Sequence, residues 1–403
     1  MSTIGQTQPP SRLMTSFDPG SLGAPTHTPD ELMELERQHG AAPRAPLPVV
    51  IARGRGCWVQ DMEGRRYLDL RDADSALSLG HRNPRLIAAL KAQADRVTLT
   101  AEDVHSDQLG LLVSRLSALT GFEVVRPTRT AEEALEVAIT AARGWASSTK
   151  GIAACDAGVV MLDAQAASPS GANVVVIPPG DLEVLEGAVG PQTAAVIMEP
   201  VQLASGLDLL GSGFLRSVRE LCDAKGVLLL LDERRTGLGR TGKLFAWSHA
   251  GVRPDGVILG QVLGGGVLSM AAFLGDPSLR TAVSGNTTVA SAGPLAAAVA
   301  LAVIDVTEED GLIERAATMG APMLERLRSM EAPKLASVRG IGLLIDLEIK
   351  ASAGTAERIR KALLDKGVLT AMEGPQTVRL APPLNIDSID IEWALSCLRE
   401  VLA

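Results

Sequence analysis

The stretch from Phe214 to Leu231 constrains this chain most. Helix-spaced apolar residues run to Lys225, Gly226 stops them, and Val227-Leu-Leu-Leu-Leu231 follows without a polar residue before Asp232. A strand that is apolar on both faces has to be covered on both faces, which is the situation of a parallel sheet with crossover helices. Shorter runs at Ala194–Met198, Val257–Gly260 and Ala271–Leu274, alternating with helical patterns such as Glu132–Trp145, extend the rhythm from about residue 108 to 280. This predicts an α/β domain with a mainly parallel sheet.

Residues 1–30 are rich in Pro, Ser, Thr and Gly and read as a flexible arm, with Thr28 capping a helix that has Pro29 at its first position. Residues 31–107 form the N-terminal part of a small domain and the entry to the large one. Within them, 48–60 and 65–72 alternate like two strands about the Asp61–Gly64 turn, and Pro84–Leu99 is an amphipathic helix. Residues 108–293 are the large domain and 294–403 a smaller α+β domain. The latter holds helices Pro294–Val306, Gly311–Met330 and Ala356–Lys366 and strands Ile341–Ile349 and Val378–Leu384.

Composition removes several function classes. With 403 residues, a net charge of −9 and only ten aromatics (five Phe, four Trp, one Tyr), the chain lacks both the positive field and the stacking rings of a nucleic-acid binder. No run of about 18 apolar residues is available to span a bilayer. The start lacks a basic-then-apolar leader, so the expected location is the cytoplasm. Cys57, Cys155, Cys222 and Cys397 form no CxxC pair and read as buried thiols in a reducing compartment. His81, His105 and His249 lack metal-ligand spacing and read as structural.

The segment Leu228-Leu-Leu-Leu-Asp-Glu-Arg-Arg-Thr-Gly-Leu-Gly-Arg-Thr-Gly-Lys243 resembles the class III aminotransferases, fold-type I pyridoxal-phosphate enzymes, and is closest to the ornithine aminotransferases. Asp61–Asp69, Gly80-His81, Thr98–Thr100, Met198-Glu-Pro200, Val252–Asp255, Gly264-Gly265 and Val378–Leu384 support the likeness in the right order, from about residue 30 to the end. The resemblance implies the fold-type I fold, with a seven-stranded-type sheet in the large domain and a smaller α+β domain. It also implies a dimer whose two sites are each built from both subunits.

The same resemblance implies a lysine that forms an imine with the cofactor aldehyde and then carries the substrate proton. Its place falls in Leu259-Gly-Gln-Val-Leu-Gly-Gly-Gly266, where Gln261 stands instead. A carboxamide forms no imine and carries no proton at neutral pH. No lysine lies between Lys243 and Lys334 to replace it.

Other implied cofactor contacts are altered as well. The phosphate cup, small residues at a helix N-terminus, maps to Arg129-Thr-Ala-Glu132. There Thr130 is kept, Ala131 replaces glycine, Glu132 adds negative charge, and Arg129 offers partial compensation. The aromatic that stacks on the pyridine ring maps to Val160, followed by Met161, with Asp163 where ornithine aminotransferases carry Arg. Asp232 keeps the carboxylate that holds the pyridine nitrogen, while Arg234 replaces an aliphatic residue under the ring and Arg235 a polar residue near the phenolic oxygen. The cross-dimer threonine maps near Thr288 or Val289.

On the substrate side Arg379 is kept, and Glu199 keeps its Glu-Pro pair. Leu203-Ala204 replace a Gly-Glu, and Arg44 and Asp74 stand where tyrosines belong. Plain alternatives exist for the retained residues. Asp232 would cap backbone at a strand end, Arg379 would be an ion-pair partner, Gly264–Gly266 would serve a tight turn, and Arg234 would pair with Asp163 or Glu199 inside the vacated pocket.

Scaffold segments are thus kept while chemistry is altered. The leading expectation is a non-transaminating pseudoenzyme acting as a partner subunit or ligand binder, in a homodimer or in a heterodimer with an active paralogue. No covalent cofactor is expected, although non-covalent pyridoxal or pyridoxamine phosphate is compatible with it. The alternative is lysine-independent chemistry in the same cleft, with Asp163, Glu132 or Asp74 as acid or base and a small-molecule ligand. Ordinary ornithine-type transamination requires the lysine to lie elsewhere.

Overall fold

The structure, a computed structural model, describes residues 26–41, 46–71, 73, 75–101, 103–162, 173–203, 212–285, 289 and 291–403. A seven-stranded sheet forms its centre, in the spatial order Val124–Thr128, Ala271–Gly275, Gly256–Leu259, Leu228–Glu233, Thr193–Met198, Gly158–Leu162, Val174–Ile177. The last five run parallel, and Ala271–Gly275 pairs antiparallel with both of its neighbours. Every residue of Leu228–Glu233 is buried, as the unbroken apolar run requires.

Strand alternation divides this core in two. Leu228, Leu230, Ala195, Ile197, Val159 and Met161 pack against the helix Ala131–Lys150. Leu229, Leu231, Val196, Met198, Val160 and Leu162 pack on the opposite face with helices Leu182–Ala188 and Ser212–Lys225. Towards the Gly256–Leu259 and Ala271–Gly275 strands, helices Leu109–Thr120 and Pro294–Glu309 cover that second face.

Among the described residues there are two further sheets, each of four strands. One joins Ile51–Arg55, Trp58–Asp61 and Arg66–Asp69 with the late strand Val368–Leu369, which lies parallel to Arg66–Asp69. The other is antiparallel, in the order Leu335–Ile341, Leu344–Ile349, Thr377–Leu380, Ala371–Glu373. It shares an apolar core with helices Leu312–Arg328, Ala356–Asp365 and Ser388–Leu402.

Two expected strands are hairpins instead. Residues 48–60 split at Gly56, whose φ of 57° turns the chain so that Arg55 pairs with Trp58. Ile341–Ile349 splits at Gly342, φ 55°, and its first arm reaches back to Leu335. In both places alternation continues through a tight glycine turn, so the pattern hides the reversal. The helix expected at Pro84–Leu99 ends at Ala94, capped by Asp95, and the Gln93 amide donates to the Val97 carbonyl at 2.9 Å. The Thr28 cap is present as a full capping box with Glu31. Cys57, Cys222 and Cys397 are buried as expected, whereas Cys155 is exposed.

The Gly-Leu-Gly-Arg-Thr-Gly motif serves packing. Arg240 is fully buried and donates to the carbonyls of Leu343 (3.2 Å) and Pro382 (2.5 Å) and to Ser78 Oγ (3.1 Å). Beside it a Cβ on Gly342 would lie 2.5 Å from the Thr241 carbonyl carbon, and one on Gly320 would lie 2.0 Å from the Gly342 oxygen. The central sheet and the C-terminal elements therefore meet backbone to backbone. Gly265 and Gly266, with φ of 56° and 69°, turn the chain after Gln261.

Candidate functional site

The parallel strands Thr193–Met198, Leu228–Glu233 and Gly256–Leu259 end along one edge of the central sheet, where open α/β sheets place their ligand clefts. Glu199, Asp232 and Gln261 lie at those ends, and the N-terminus of the Ala131–Lys150 helix points to the same edge.

Asp232 faces the helix Ala131–Lys150 side, since it alternates with Leu230 and pairs with Ile258. Its carboxylate is held from within the chain. The Arg234 Nε donates to Oδ1 at 2.9 Å and Oδ2 at 2.8 Å, Nη2 lies 2.6 Å from Oδ2, and the Arg234 backbone N–H donates to Oδ1 at 3.1 Å. The pair is mostly buried, with side chains 7% and 26% exposed. Burial opposes the Arg234 charge, but the Asp232 carboxylate outweighs it, helped by the fields of Glu199 and Glu132, and raises the guanidinium pKa further. Among the described residues the bonded partner is Asp232, with Glu199 adding only to the field at the guanidinium. The two groups are joined to one strand end, and a side chain two residues on folds back over its neighbour. Gly260 backs this arrangement: a Cβ there would lie 2.2 Å from the Arg234 carbonyl oxygen.

Gln261 opens a single 3-10 turn, Gln261–Gly264, and is half-buried. Ser269 Oγ donates to its Oε1 at 3.2 Å.

Thr130 caps the Ala131–Lys150 helix. Its Oγ1 accepts from the Glu133 N–H at 3.1 Å, and the Glu133 carboxylate accepts from the N–H groups of Arg129 (2.9 Å) and Thr130 (3.2 Å). The Arg129 guanidinium bonds the same carboxylate at 2.5 Å, so an anion from within the chain already meets it at the helix start. Burial would raise the Glu133 pKa, but these bonds hold it below the usual range. Ala131 is buried and Glu132 is exposed.

Arg379 sits among carboxylates. Its Nε and Nη2 each lie 2.7 Å from an Asp346 oxygen, Nη1 is 2.6 Å from Glu373 Oε1, and Nη2 also donates to the Leu203 carbonyl at 2.9 Å. Glu373 is shared with Arg235, whose Nη2 donates to the same oxygen. Burial raises the Asp346 pKa against the opposing pull of Arg379. Glu199 turns to its own loop, where Oε2 accepts from the Leu203 N–H at 3.1 Å. Asp346 and Glu373 carry no sequence signal of their own. Asp346 meets Arg379 only because the strands Leu344–Ile349 and Thr377–Leu380 pair in that register.

Val160 does not belong to this edge. It lies inside the Gly158–Leu162 strand, in register with Val196, and packs on the sheet face opposite Asp232. Its side chain therefore lies across the sheet from Asp232 and does not meet a ring held by that carboxylate. Arg44, Asp74, Asp163 and Thr288 lie outside the described residues. Val289 is buried, and its carbonyl accepts from Arg126 Nη2 at 2.7 Å. His81 bonds Asp69 at 3.0 Å and His249 bonds Thr241 at 3.2 Å. No cluster of metal-ligating side chains occurs among the described residues. No helix among them is long and apolar enough to cross a membrane.

Comparison with known proteins places these features in context. The class-III aminotransferase family model matches residues 40–164 and 172–402. The ornithine aminotransferase of Brevibacillus brevis is 38% identical over 392 residues, covering 92% of this chain and 98% of that one. That of Bacillus cereus strain Q1 is 38% identical over 395 residues, covering 93% and 99%. Among solved structures, Plasmodium falciparum ornithine delta-aminotransferase superposes with a TM-score of 0.88 at 32% identity, covering 93% and 98%. The acetylornithine aminotransferase of Elizabethkingia anophelis gives 0.86 at 33% identity, covering 94% and 99%.

Proposed function

Because this chain belongs to the class III aminotransferases, a pyridoxal-phosphate-dependent and typically dimeric family, we propose that it retains the family scaffold without the transamination chemistry. It acts as a subunit, paired with a second copy or with a lysine-bearing paralogue. One observation carries this reading: both oxygens of Asp232, the carboxylate that would hold the pyridine nitrogen, are bonded by Arg234. A pyridine ring at that carboxylate would have to displace a buried guanidinium, leaving it among Glu199 and Glu132 without its nearest partner.

The remaining contacts support the same conclusion. Gln261 supplies an amide where an amine is needed, Arg129 is engaged by Glu133, and Arg379 spends its donors on Asp346, Glu373 and Leu203. These residues do not fit pyridoxal phosphate as a covalent cofactor. The cleft is neutralised internally, so the surface on which the scaffold is useful is the one it offers to another subunit.

The test combines purified protein with pyridoxal phosphate, ornithine and a 2-oxo acid. No ornithine-dependent product and no borohydride-fixed lysine in the cleft are expected. A lysine-linked adduct mapped to the cleft, with turnover, would overturn the reading. Co-expression with a lysine-bearing relative should yield a mixed dimer, while the chain alone yields a dimer of itself.

A further inference from the structure

We propose that Arg234 is a built-in ligand of this cleft: its planar guanidinium takes the place of a planar ring cation on Asp232 and excludes free pyridine-type cations from it. The inference deepens the proposed function, since it identifies what fills the site that the missing chemistry vacated.

The geometry is that of recognition, not of a chance surface pair. A guanidinium is flat and cationic and presents N–H donors in its plane, the attributes through which a protonated pyridine ring also addresses a carboxylate. Arg234 meets Asp232 through Nε and Nη2 at 2.6–2.9 Å, with the carboxylate 7% exposed. The backbone fixes the donor, because the Arg234 N–H bonds Oδ1 at 3.1 Å. Gly260 allows the strand end carrying Gln261 to press on the Arg234 carbonyl, which keeps the residue from swinging away as a unit. The fields of Glu199 and Glu132 act on the same cation in the same direction. A free ligand entering here has to break a tethered ion pair whose partner is already ordered, and a tethered group pays none of the association entropy that a free one does.

The pair also accounts for a scaffold that persists without a cofactor. Removing a ring cation from a buried Asp232 would leave a lone carboxylate, which is costly, and Arg234 removes that cost. Relief of the contact should therefore reopen Asp232 to a planar aromatic cation.

Pyridoxamine 5′-phosphate, which needs no lysine, is the probe, and its own fluorescence reports binding. The parent is expected to show no saturation up to about 1 mM probe, whereas Arg234→Val and Arg234→Gln should saturate with an affinity at least about tenfold better than that limit. The glutamine variant keeps an N–H donor for Asp232 and guards against loss of folding in the valine one. A crystal of the parent soaked in the probe gives a second reading that needs no variant, with Arg234 still on Asp232 and no ring beside it. Equal affinity in parent and folded variants, or a soaked parent with the ring on Asp232 and Arg234 displaced, overturns the inference. Probe binding by a parent that does not turn over ornithine sinks only this inference. Turnover by the parent sinks the proposed function.

Discussion

Arg379 and Asp346 face each other across two antiparallel strands, joined by Nε and Nη2 contacts of 2.7 Å, with side chains 1% and 3% exposed. Glu373 and the Leu203 carbonyl complete the shell. A buried pair of this kind is costly to break and cheap to replace as a whole. Asp346→Ala should destabilise the chain by about 3 kcal/mol, read as a lower midpoint in chemical denaturation. The double variant Asp346→Leu with Arg379→Met should recover most of that loss, because Glu373 keeps Arg235 as its partner. A double variant as unstable as the single one would show that the pair itself, and not the stranded charge, holds these strands.

The same pair shows what was legible in the sequence. Leu228–Leu231 announced the central sheet because burial on both faces leaves no room for polar residues, and the strand came out buried throughout. Arg379, Asp232 and Gln261 stood out by position within motifs. Their partners did not. Asp346 and Glu373 reach Arg379 through strand pairing set by the whole C-terminal sheet. Arg234 reaches Asp232 through a side-chain rotamer that no spacing rule records. The hairpin turns at Gly56 and Gly342 were hidden for a related reason: one glycine with positive φ reverses a chain whose alternation runs on.

Glu233 gives a pH dependence with a definite sign. It is fully buried beside Asp232, bonded by Thr236 Oγ1 and by the Trp247 N–H at 3.0 Å, and burial pushes its pKa up to about 7 from an ordinary 4.5. Between those two values the folded chain holds a proton that the unfolded chain has released. The stability from this group is therefore full below pH 4.5 and is lost as pH rises to about 7. The whole loss is about 3 kcal/mol. Glu233→Gln keeps an oxygen for the backbone donor and removes the titration, so the difference in stability between parent and variant should change by that amount between pH 4.5 and 8 and then level off. Parallel stability curves for the two proteins would refute the assignment.

Replacing the amide alone should not restore transamination. Gln261→Lys places an amine at the start of the Gln261–Gly264 turn, near Ser269, but leaves Arg234 on both oxygens of Asp232 and Arg129 on Glu133. The enzyme chemistry of the family needs the nucleophile and the electron-withdrawing partner together, and groups acting as a unit do not contribute separately. Ornithine-dependent product formation by Gln261→Lys should be indistinguishable from that of the parent. Adding Arg234→Val should raise it by at least about tenfold, since only then is Asp232 free to hold a ring cation. Activity in the single variant equal to that of the double would mean that Arg234 yields to a ligand without resistance, and the argument from its four contacts with Asp232 would fail.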